Sequence, residues 1–196
     1  MDVTLRPAKE ADVPDLVRLY IMATNGLMDA TYHNLVPGVP LERTLEWRFR
    51  QLGSVKSHEY CRVAEDDSRV TGMVSAFPIE GLADAPSDPR LTPDRLAVLA
   101  PVTQLLHQAG GSYYVSAVAV YPEFRGCGIG NRLMAAAASD AQRLRFAVLS
   151  LLWFEQNERA TALYRRLGFE IVARSPVVPH PLVHHTGDLL LMTRRL

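Results

Sequence analysis

The chain has 196 residues, which fits one domain large enough to bury a hydrophobic core. Apolar residues make up 48% of the chain, a share that excludes a disordered polypeptide. It carries 21 basic and 21 acidic residues, and a formal net charge of zero gives no support for binding nucleic acid or another polyanion.

The first seven residues lack the apolar segment of a signal peptide. No apolar run approaches the ~18 residues that a membrane-spanning helix needs, so we expect no membrane association. Cys61 and Cys127 are too few for a disulfide framework or a zinc site. We therefore expect a cytoplasmic protein of bacterial type.

The first half of the chain predicts two helices and three strands. Asp12 can cap the first helix, whose apolar stripe includes Leu16 and Leu19. Residues 24–40 carry turn signals and are predicted to be irregular. The predicted elements are a strand at 3–7, a helix after Asp12, a helix at 41–52, and strands at 60–65 and 70–77 joined by a hairpin turn at 66–69.

A buried strand, a glycine-rich turn and a helix start follow one another between residues 113 and 133. Residues 113–120 are apolar on both faces, which is typical of a strand inside a covered sheet. The turn Arg125-Gly126-Cys127-Gly128-Ile129-Gly130 comes next. Glycines permit positive φ, and the free amides and dipole of a helix start attract anions, to which Arg125 and Arg132 add charge. The stretch predicts a phosphate or pyrophosphate site, although the glycines alone also fit a tight connecting turn.

Three kinds of phosphate-binding loop can be compared with this turn. A P-loop needs GxxxxGK[ST], and the sequence contains no such string. A dinucleotide loop needs GxGxxG, whereas the spacing here is GxGxG, so an oxidoreductase is the weaker alternative. The third pattern, Arg/Gln-x-x-Gly-x-Gly/Ala after a strand, matches at Arg125, Gly128 and Gly130.

A second pattern lies one strand downstream. Residues 148–153 predict an apolar strand, and after it comes Asn157-x-x-Ala160-x-x-x-Tyr164-x-x-x-Gly168-Phe169. With both patterns in this order, residues 113–169 resemble the GNAT superfamily of acetyl-CoA-dependent N-acyltransferases. The first half of the chain matches that family only in layout.

The resemblance implies a single α/β domain over residues 1–196. Its mixed, mostly antiparallel sheet would have six or seven strands, flanked by helices and splayed at the CoA site, with further strands at 169–174 and 184–194. Residues 80–111 depart from the compact family pattern as an insertion with a helical stretch at 94–108. This insertion is either a lid or substrate wall, or a surface elaboration or homodimer contact.

The resemblance also implies transfer of an acetyl group from acetyl-CoA to a primary amine of a small molecule or peptide, by direct attack in a ternary complex without a metal. Val118 and Val120 would pair through their backbones with the pantetheine arm. Asn157 would hydrogen-bond that arm, or cap the helix that it begins. The CoA-binding residues would be Val118, Ala119, Val120, Arg125, Gly126, Cys127, Gly128, Ile129, Gly130, Asn131, Asn157 and Tyr164.

Tyr164 would act as the general acid, because a phenol with a pKa near ~10 stays protonated at neutral pH and can donate to the leaving thiolate. On spacing alone, Tyr164 also fits a core aromatic residue. Cys127 is a nucleophile in a ping-pong scheme or, on the simpler interpretation, a small residue that fits the turn.

The general base has no clear sequence signal, because the central strand offers Tyr114 and Ser116 rather than a glutamate. Candidate bases are Glu80, Glu155, His184 and His185, and histidine is attractive because it titrates near working pH. His180, His184, His185 and Asp188 cluster in sequence, but their spacing matches no zinc motif.

The acceptor site is predicted to be walled by residues 24–40, by the insertion and by the strand carrying His184 and His185. Tyr32 and Trp47 suggest a small or mixed acceptor site and nothing sharper. A non-catalytic acyl-CoA-binding sensor or scaffold on the same fold is the alternative. Tyr164 favours the enzyme, while the lack of a strand-borne glutamate leaves the alternative open.

Overall fold

The computed structural model describes residues 2–83 and 88–196 of the chain. Within them, the strands form one open sheet in the order β1-β2-β3-β4-β5-β7-β6. All neighbouring strands are antiparallel except β4 and β5, which confirms the predicted mixed, mostly antiparallel sheet. The strands are β1 (Thr4–Pro7), β2 (Cys61–Asp66), β3 (Arg69–Pro78), β4 (Tyr113–Val120), β5 (Val148–Phe154), β6 (Glu170–Pro176) and β7 (Asp188–Arg195).

Helices cover both faces of this sheet. The helices of the described chain are α1 (Val13–Ala23), α2 (Leu27–Tyr32), α3 (Leu41–Phe49), α4 (Glu80–Ala83), α5 (Pro93–Gln108), α6 (Ile129–Arg143) and α7 (Glu158–Arg166). The side chains of α6 and α7 pack on one face, and those of α1, α3 and α5 pack on the other. No helix of the described chain is both long enough and apolar enough to cross a membrane.

The apolar periodicity of α6 explains how it is held on the sheet. Ile129, Leu133 and Ala137 recur at helical spacing and are buried against Val74 of β3 and Val115 of β4. This packing fixes the first turn of α6 at the carboxyl end of β4. The glycine-rich turn is therefore anchored by the core on both sides.

The insertion predicted at residues 80–111 supplies part of the core. Leu105 and Leu106 of α5 are buried with Tyr114 of β4 and Leu191 of β7. Its residues 84–87 lie outside the described part of the chain. The helix predicted at 94–108 is thus an integral layer on one face of the sheet, rather than a surface elaboration.

Three local predictions differ from the structure. Residues 24–40 are not wholly irregular, because α2 forms after Gly26, which adopts a φ of +84°. β7 begins at Asp188 rather than at residue 184, because β5 and β6 offer ladder partners only from there onward. The Asp12 side chain does not cap α1; its carboxylate accepts instead from the Arg6 guanidinium and the Lys9 amide.

β4 and β5 pair only at their amino ends, from Tyr113–Leu149 to Val115–Leu151. The β3–β4 register shifts between Ser75 and Ala76, which leaves Ser116 as an extra residue in β4 at that point. A bulge of this kind bends the strand that carries it. Beyond it β4 and β5 diverge, and this confirms the predicted splay of the sheet.

Candidate active site

A cleft opens where β4 and β5 separate, and we call its wide part the outer cleft. It has a volume of about 590 Å³ and runs between the glycine-rich turn and α7. Its described lining consists of Met22, Ala23, Asn25, Val118, Ala119, Val120, Phe124, Arg125, Gly126, Gly128, Ile129, Gly130, Asn131, Trp153, Asn157, Ala160, Leu163 and Arg166. All the residues expected to bind CoA are in this set except Cys127 and Tyr164.

The turn between β4 and α6 presents backbone amides to the outer cleft. Gly126 and Gly128 adopt φ values of +84° and +77°, which residues with a side chain rarely occupy. The first helical hydrogen bond runs from the Arg132 amide to the Gly128 carbonyl, at 3.2 Å. The amides of Ile129, Gly130 and Asn131 precede it and have no intrahelical acceptor. A Cβ at Gly128 would meet no heavy atom within 4 Å, so the cradle is open on the cleft side.

Arg125 lies across the end of β4 and remains exposed to solvent. Its Nε donates to the Val120 carbonyl at 3.0 Å, and its guanidinium lies 3.4 Å from the Met22 sulfur. Arg166 adds a second cation to the cleft wall from α7. Together with the start of α6, these residues make the outer cleft a favourable place for a multiply charged anion.

The open edge of β4 supplies backbone donors and acceptors inside the cleft. The Tyr121 amide donates to the Thr71 carbonyl of the β3 end at 2.9 Å. Because hydrogen-bonded pairs alternate in an antiparallel ladder, Ala119 also bonds toward β3, while Val118 and Val120 point to the other edge. That edge has no strand neighbour, since β5 has diverged. An extended, amide-containing ligand can pair with it there.

A smaller cavity of about 70 Å³, the inner pocket, continues from the outer cleft past Trp153 and Val118. Its described lining consists of Ala23, Thr24, Leu27, Val102, Tyr114, Val115, Ser116, Ala117, Val118, Leu151, Leu152, Trp153, Phe154, Tyr164 and Leu189. It reaches Tyr164 at one side and the helical layer of α2 and α5 at the other. The two cavities share Ala23, Val118 and Trp153 in their linings and lie next to each other along the splay of the sheet; we refer to the pair as the channel.

Tyr164 lies at the inner end of that channel. Its side chain is 3% exposed and makes edge-to-face contacts with Trp153 at 5.4 Å and with Phe169 at 5.9 Å between ring centroids. Burial raises the pKa of Tyr164 well above that of a free phenol. Within the described residues its hydroxyl makes no hydrogen bond, so that it is available to a ligand. The raised pKa keeps the Tyr164 phenol protonated, and so able to donate a proton, at neutral pH.

Asn157 and Trp153 hold the start of α7 beside the channel. The Asn157 Oδ1 accepts from the Ala160 amide at 3.4 Å, which caps the helix. The Trp153 indole donates to the Asn157 carbonyl at 3.2 Å. This pair fixes the angle at which α7 leaves β5, and with it the position of Tyr164 two turns further on.

Hydroxyl groups supply the polar side chains of the inner pocket. Tyr114 and Ser116 of β4 line the pocket, and the Ser116 hydroxyl lies 3.2 Å from that of Tyr20, which is in α1 and outside the described lining. Burial raises the pKa of Tyr20 and of Tyr114, so both stay protonated. None of these groups is a strong base, in agreement with the sequence.

The structure does not bring the candidate bases into the channel. Glu80 is exposed in α4, beside the amino end of β4, where Pro78 pairs with Tyr113. Glu155 is exposed and pairs with Arg174 at 3.6 Å. Neither residue is among the described residues that line the two cavities.

His184 and His185 lie in the segment before β7, outside the described lining of both cavities but in contact with residues of that lining, a position that we call the rim. The His184 amide donates to the Asn25 carbonyl at 3.0 Å, while the His185 ring packs on Phe154 with 5.0 Å between centroids. Burial, with a smaller contribution from His184, lowers the pKa of His185. His180 accepts from the Leu182 amide through its own Nδ1. In the described chain no three His, Cys, Asp or Glu side chains are grouped so as to hold a metal ion.

Cys127 is exposed at the tip of the turn, where its Sγ lies 3.9 Å from the Arg125 carbonyl. It belongs to neither cavity within the described lining. This position suits a small residue at a tight turn, which is the simpler of the two interpretations drawn from the sequence.

Sequence reasoning missed several residues of the channel. Leu163 and Arg166 continue the stripe begun by Asn157 and Ala160 at a spacing of three, and that period could have identified them. Trp153 could have been found as the tryptophan at the end of the predicted strand at 148–153, just before the second signature. Val102 had no local signal, because only the packing of α5 on the sheet brings it to the inner pocket.

Comparison with known proteins agrees with this geometry. The model of the acetyltransferase (GNAT) family matches residues 26–169. A peptidyl-lysine N-acetyltransferase from Escherichia coli, YjaB, is 36% identical over 75 residues, which cover 36% of this chain and 48% of that protein. The chain spans less than half the length of the curated relatives that it matches.

Two solved structures share the fold over almost the whole chain. A ribosomal-protein-alanine N-acetyltransferase from Brucella melitensis is 25% identical, with a TM-score of 0.62 and coverage of 98% of this chain and 99% of that one. An acetyltransferase from Salmonella typhimurium, described with its cofactor acetyl-CoA, is 23% identical, with a TM-score of 0.61 and coverage of 100% and 95%. The second likeness supports the fold alone.

Proposed function

This chain belongs to the GNAT acetyltransferase family, and from that premise we propose that it moves an acetyl group from acetyl-CoA to a primary amine of a small molecule or peptide. The divergence of β4 and β5 is the observation that carries this function. It opens the outer cleft beside the amides at the start of α6 and, next to it, the inner pocket that Tyr164 lines. Acetyl-CoA has the matching shape, with charged phosphates at one end and a thioester at the other.

The start of α6 would hold the pyrophosphate. The amides of Ile129, Gly130 and Asn131 are directed out of the helix start, and Gly128 has no side chain to block the approach. Arg125 and Arg166 add positive charge to the same cleft. A cleft with backbone donors and the positive end of a helix dipole binds a phosphate ester better than a cleft that is neutral or lined by carboxylates.

The open edge of β4 would bind the pantetheine arm as an added strand. Val118 and Val120 present their backbone groups on that edge, as the ladder alternation requires. On the opposite wall the Asn157 Oδ1 caps α7, which leaves its Nδ2 to donate to an amide carbonyl of the arm. Both sequence interpretations of Asn157 can therefore hold at once.

Tyr164 would protonate the departing thiolate. Its raised pKa keeps the phenol protonated, and its ring is held by Trp153 and Phe169 at the end of the channel. The acceptor amine attacks the thioester carbonyl, the C–S bond breaks, and the thiolate takes the Tyr164 proton. The phenolate regains a proton from solvent after CoA leaves.

We assign removal of the amine proton to His185 acting through water. Its lowered pKa keeps the imidazole neutral at pH 7, as a base must be, and Phe154 links its ring to the inner pocket. His184 is exposed at the rim, and Glu80 lies at the other end of β4. Both are weaker candidates for that role.

Thiol release from acetyl-CoA in the presence of a panel of primary amines tests this function. We expect amine-dependent release that Tyr164→Phe lowers. A protein that binds acetyl-CoA tightly and releases no thiol with any amine would instead be the non-catalytic acyl-CoA sensor or scaffold. The hydroxyl-only polar lining of the inner pocket is the observation that favours this second candidate.

A further inference from the structure

The described lining of the inner pocket holds no ionised side chain. Its polar side-chain atoms are the hydroxyls of Thr24, Tyr114, Ser116 and Tyr164 and the indole nitrogen of Trp153. The indole nitrogen already donates to the Asn157 carbonyl. The outer cleft, by contrast, is lined by two arginines. Among the described residues, a charged group that entered the inner pocket would find hydroxyl dipoles but no counter-charge.

The helical layer closes the inner pocket with aliphatic side chains. Leu27 begins α2, Val102 lies in the middle of α5, and Leu189 begins the buried part of β7. All three line the pocket together with Phe154. The part of an acceptor that lies beyond its reacting nitrogen therefore meets a hydrocarbon wall.

This wall is held in place by α5. The Arg95 guanidinium donates to the carbonyls of Thr31, at 2.8 Å, and His33, at 2.6 Å, at the end of α2. Leu105 and Leu106 lie one turn beyond Val102 on the same side of α5 and are buried against the sheet. The Arg95 guanidinium is thus bound to the carboxyl end of α2. Because it ties α5 to α2, it fixes the position of Val102 relative to that of Leu27.

We propose that the inner pocket selects monoamines, meaning primary amines with an apolar substituent and no second ammonium group nearby. This inference rests on the proposed function, because it concerns the acceptor of that reaction. The reacting nitrogen must lose its charge in any case, whereas a second ammonium would keep its charge against Leu27 and Val102. Burying a charge without a partner costs far more than burying a methyl group of the same size.

The sharpest comparison uses n-butylamine and 1,4-diaminobutane, which share a four-carbon chain; the diamine carries a second ammonium at the far end of that chain. We expect kcat/KM to favour n-butylamine at least ~10-fold, which corresponds to about 1.4 kcal/mol of difference in transition-state binding. Equal values, or a preference for the diamine, would overturn the inference while leaving the acetyltransferase function intact.

Val102→Asp supplies a counter-charge, since a carboxylate would pair with the second ammonium. The ratio of kcat/KM for n-butylamine to that for 1,4-diaminobutane should fall at least ~10-fold in this variant. Val102→Asn is the matched control, because it has nearly the same shape without the charge and should keep the preference for n-butylamine. Val102 is half-buried, so the aspartate retains contact with solvent. If Val102→Asp does not fold, Leu27→Asp makes the same test from α2. An unchanged preference in a folded Asp variant contradicts the inference.

Failure of the proposed function gives a different result. If neither amine releases thiol, the pair is compared as ligands of the enzyme–CoA complex by calorimetry. Tighter binding of n-butylamine supports monoamine selection even without turnover. Equal binding, tighter binding of the diamine, or binding of neither amine overturns it.

Discussion

The outer cleft and the inner pocket meet at Trp153, but the first is formed mainly by backbone groups and the second by side chains. The outer cleft uses backbone groups from one continuous segment, the end of β4 and the start of α6, with Arg125 and Arg166 beside them. The inner pocket uses side chains from α1, α2, α5, β4, β5, α7 and β7, which are distant in sequence. In the proposed function the first would hold a constant chemical group, and the second would determine which molecule receives the acetyl group.

This difference explains why the outer cleft could be predicted from the sequence and the inner pocket could not. A backbone cradle needs glycines where φ is positive, so that its signature is local and contiguous. A side-chain pocket needs only that the right surfaces face each other after folding. Its residues come from separate elements of the chain, so they leave no spacing to recognise.

Substitution of Tyr164 is expected to give the largest effect and tests the role of the inner pocket. Tyr164→Phe should lower kcat by about 10²–10⁴-fold, because a general acid contributes that much and phenylalanine cannot donate a proton. The ring contacts with Trp153 and Phe169 are kept, so the melting temperature and the acetyl-CoA affinity should hardly change. Steady-state kinetics and thermal unfolding of the two proteins make the measurement.

Tyr164→Ala is the companion variant, since it removes the ring from the core and should lower the melting temperature as well. A Tyr164→Phe protein with full kcat, measured where chemistry limits the rate, would show that Tyr164 is only a core aromatic residue. Water or the acceptor would then protonate the thiolate.

Gly128→Val should damage the outer cleft and leave the inner pocket unaltered. Valine at φ +77° is strained by about 1–3 kcal/mol, and its side chain would fill the space in which the anion is held. We expect acetyl-CoA to bind at least ~10-fold more weakly by calorimetry, the equivalent of one lost charge-assisted hydrogen bond. Gly53→Val is the matched control.

Gly53 has a φ of +75° and equally open surroundings, but it lies in the turn after α3, away from the cleft. Its valine variant should show the same loss of stability without the loss of affinity. Equal acetyl-CoA affinity in wild type and a folded Gly128→Val protein would mean that the pyrophosphate lies elsewhere.

Much of the fold could be predicted from the spacing of apolar residues and from the glycines and prolines that end helices and strands. The predicted strand at 113–120 coincides with β4, and the helix at 94–108 with α5 to within one residue, because their ends are marked by Gly111, Pro93 and Pro122. α2 was missed because a helix of six residues depends on tertiary contacts, here the Arg95 guanidinium. β7 was extended too far because ladder partners, not composition, decide where a strand starts.

The proposed role of His185 as the base predicts how the rate of acetyl transfer depends on pH. A base must be neutral, and burial lowers the pKa of His185, so kcat/KM should rise with pH through a midpoint below the usual histidine value of ~6.5. His185→Gln should remove this acidic limb and lower kcat/KM for the acceptor by roughly 10²-fold, at the low end for a general base. Profiles between pH 5 and 8 with saturating acetyl-CoA make the measurement.

His184→Gln is the control, because that ring is exposed at the rim and its backbone amide, which the substitution keeps, makes the contact with Asn25. It should leave the acidic limb in place. If the limb survives in His185→Gln instead, the proton leaves by another route and His185 is only packing on Phe154.

Arg166 should have the smallest effect and marks the outer boundary of the cleft. It lines the wall from α7 but is exposed, so its attraction for a phosphate is reduced by water and salt. Arg166→Gln should weaken acetyl-CoA binding only about two- to fivefold at low salt, and the difference should shrink as ionic strength rises. Arg165→Gln removes the same charge from the neighbouring position, which is exposed and outside the described lining of either cavity. If both substitutions weaken binding equally, the effect comes from net charge over the whole surface; a loss confined to Arg166→Gln assigns that side chain to the bound nucleotide.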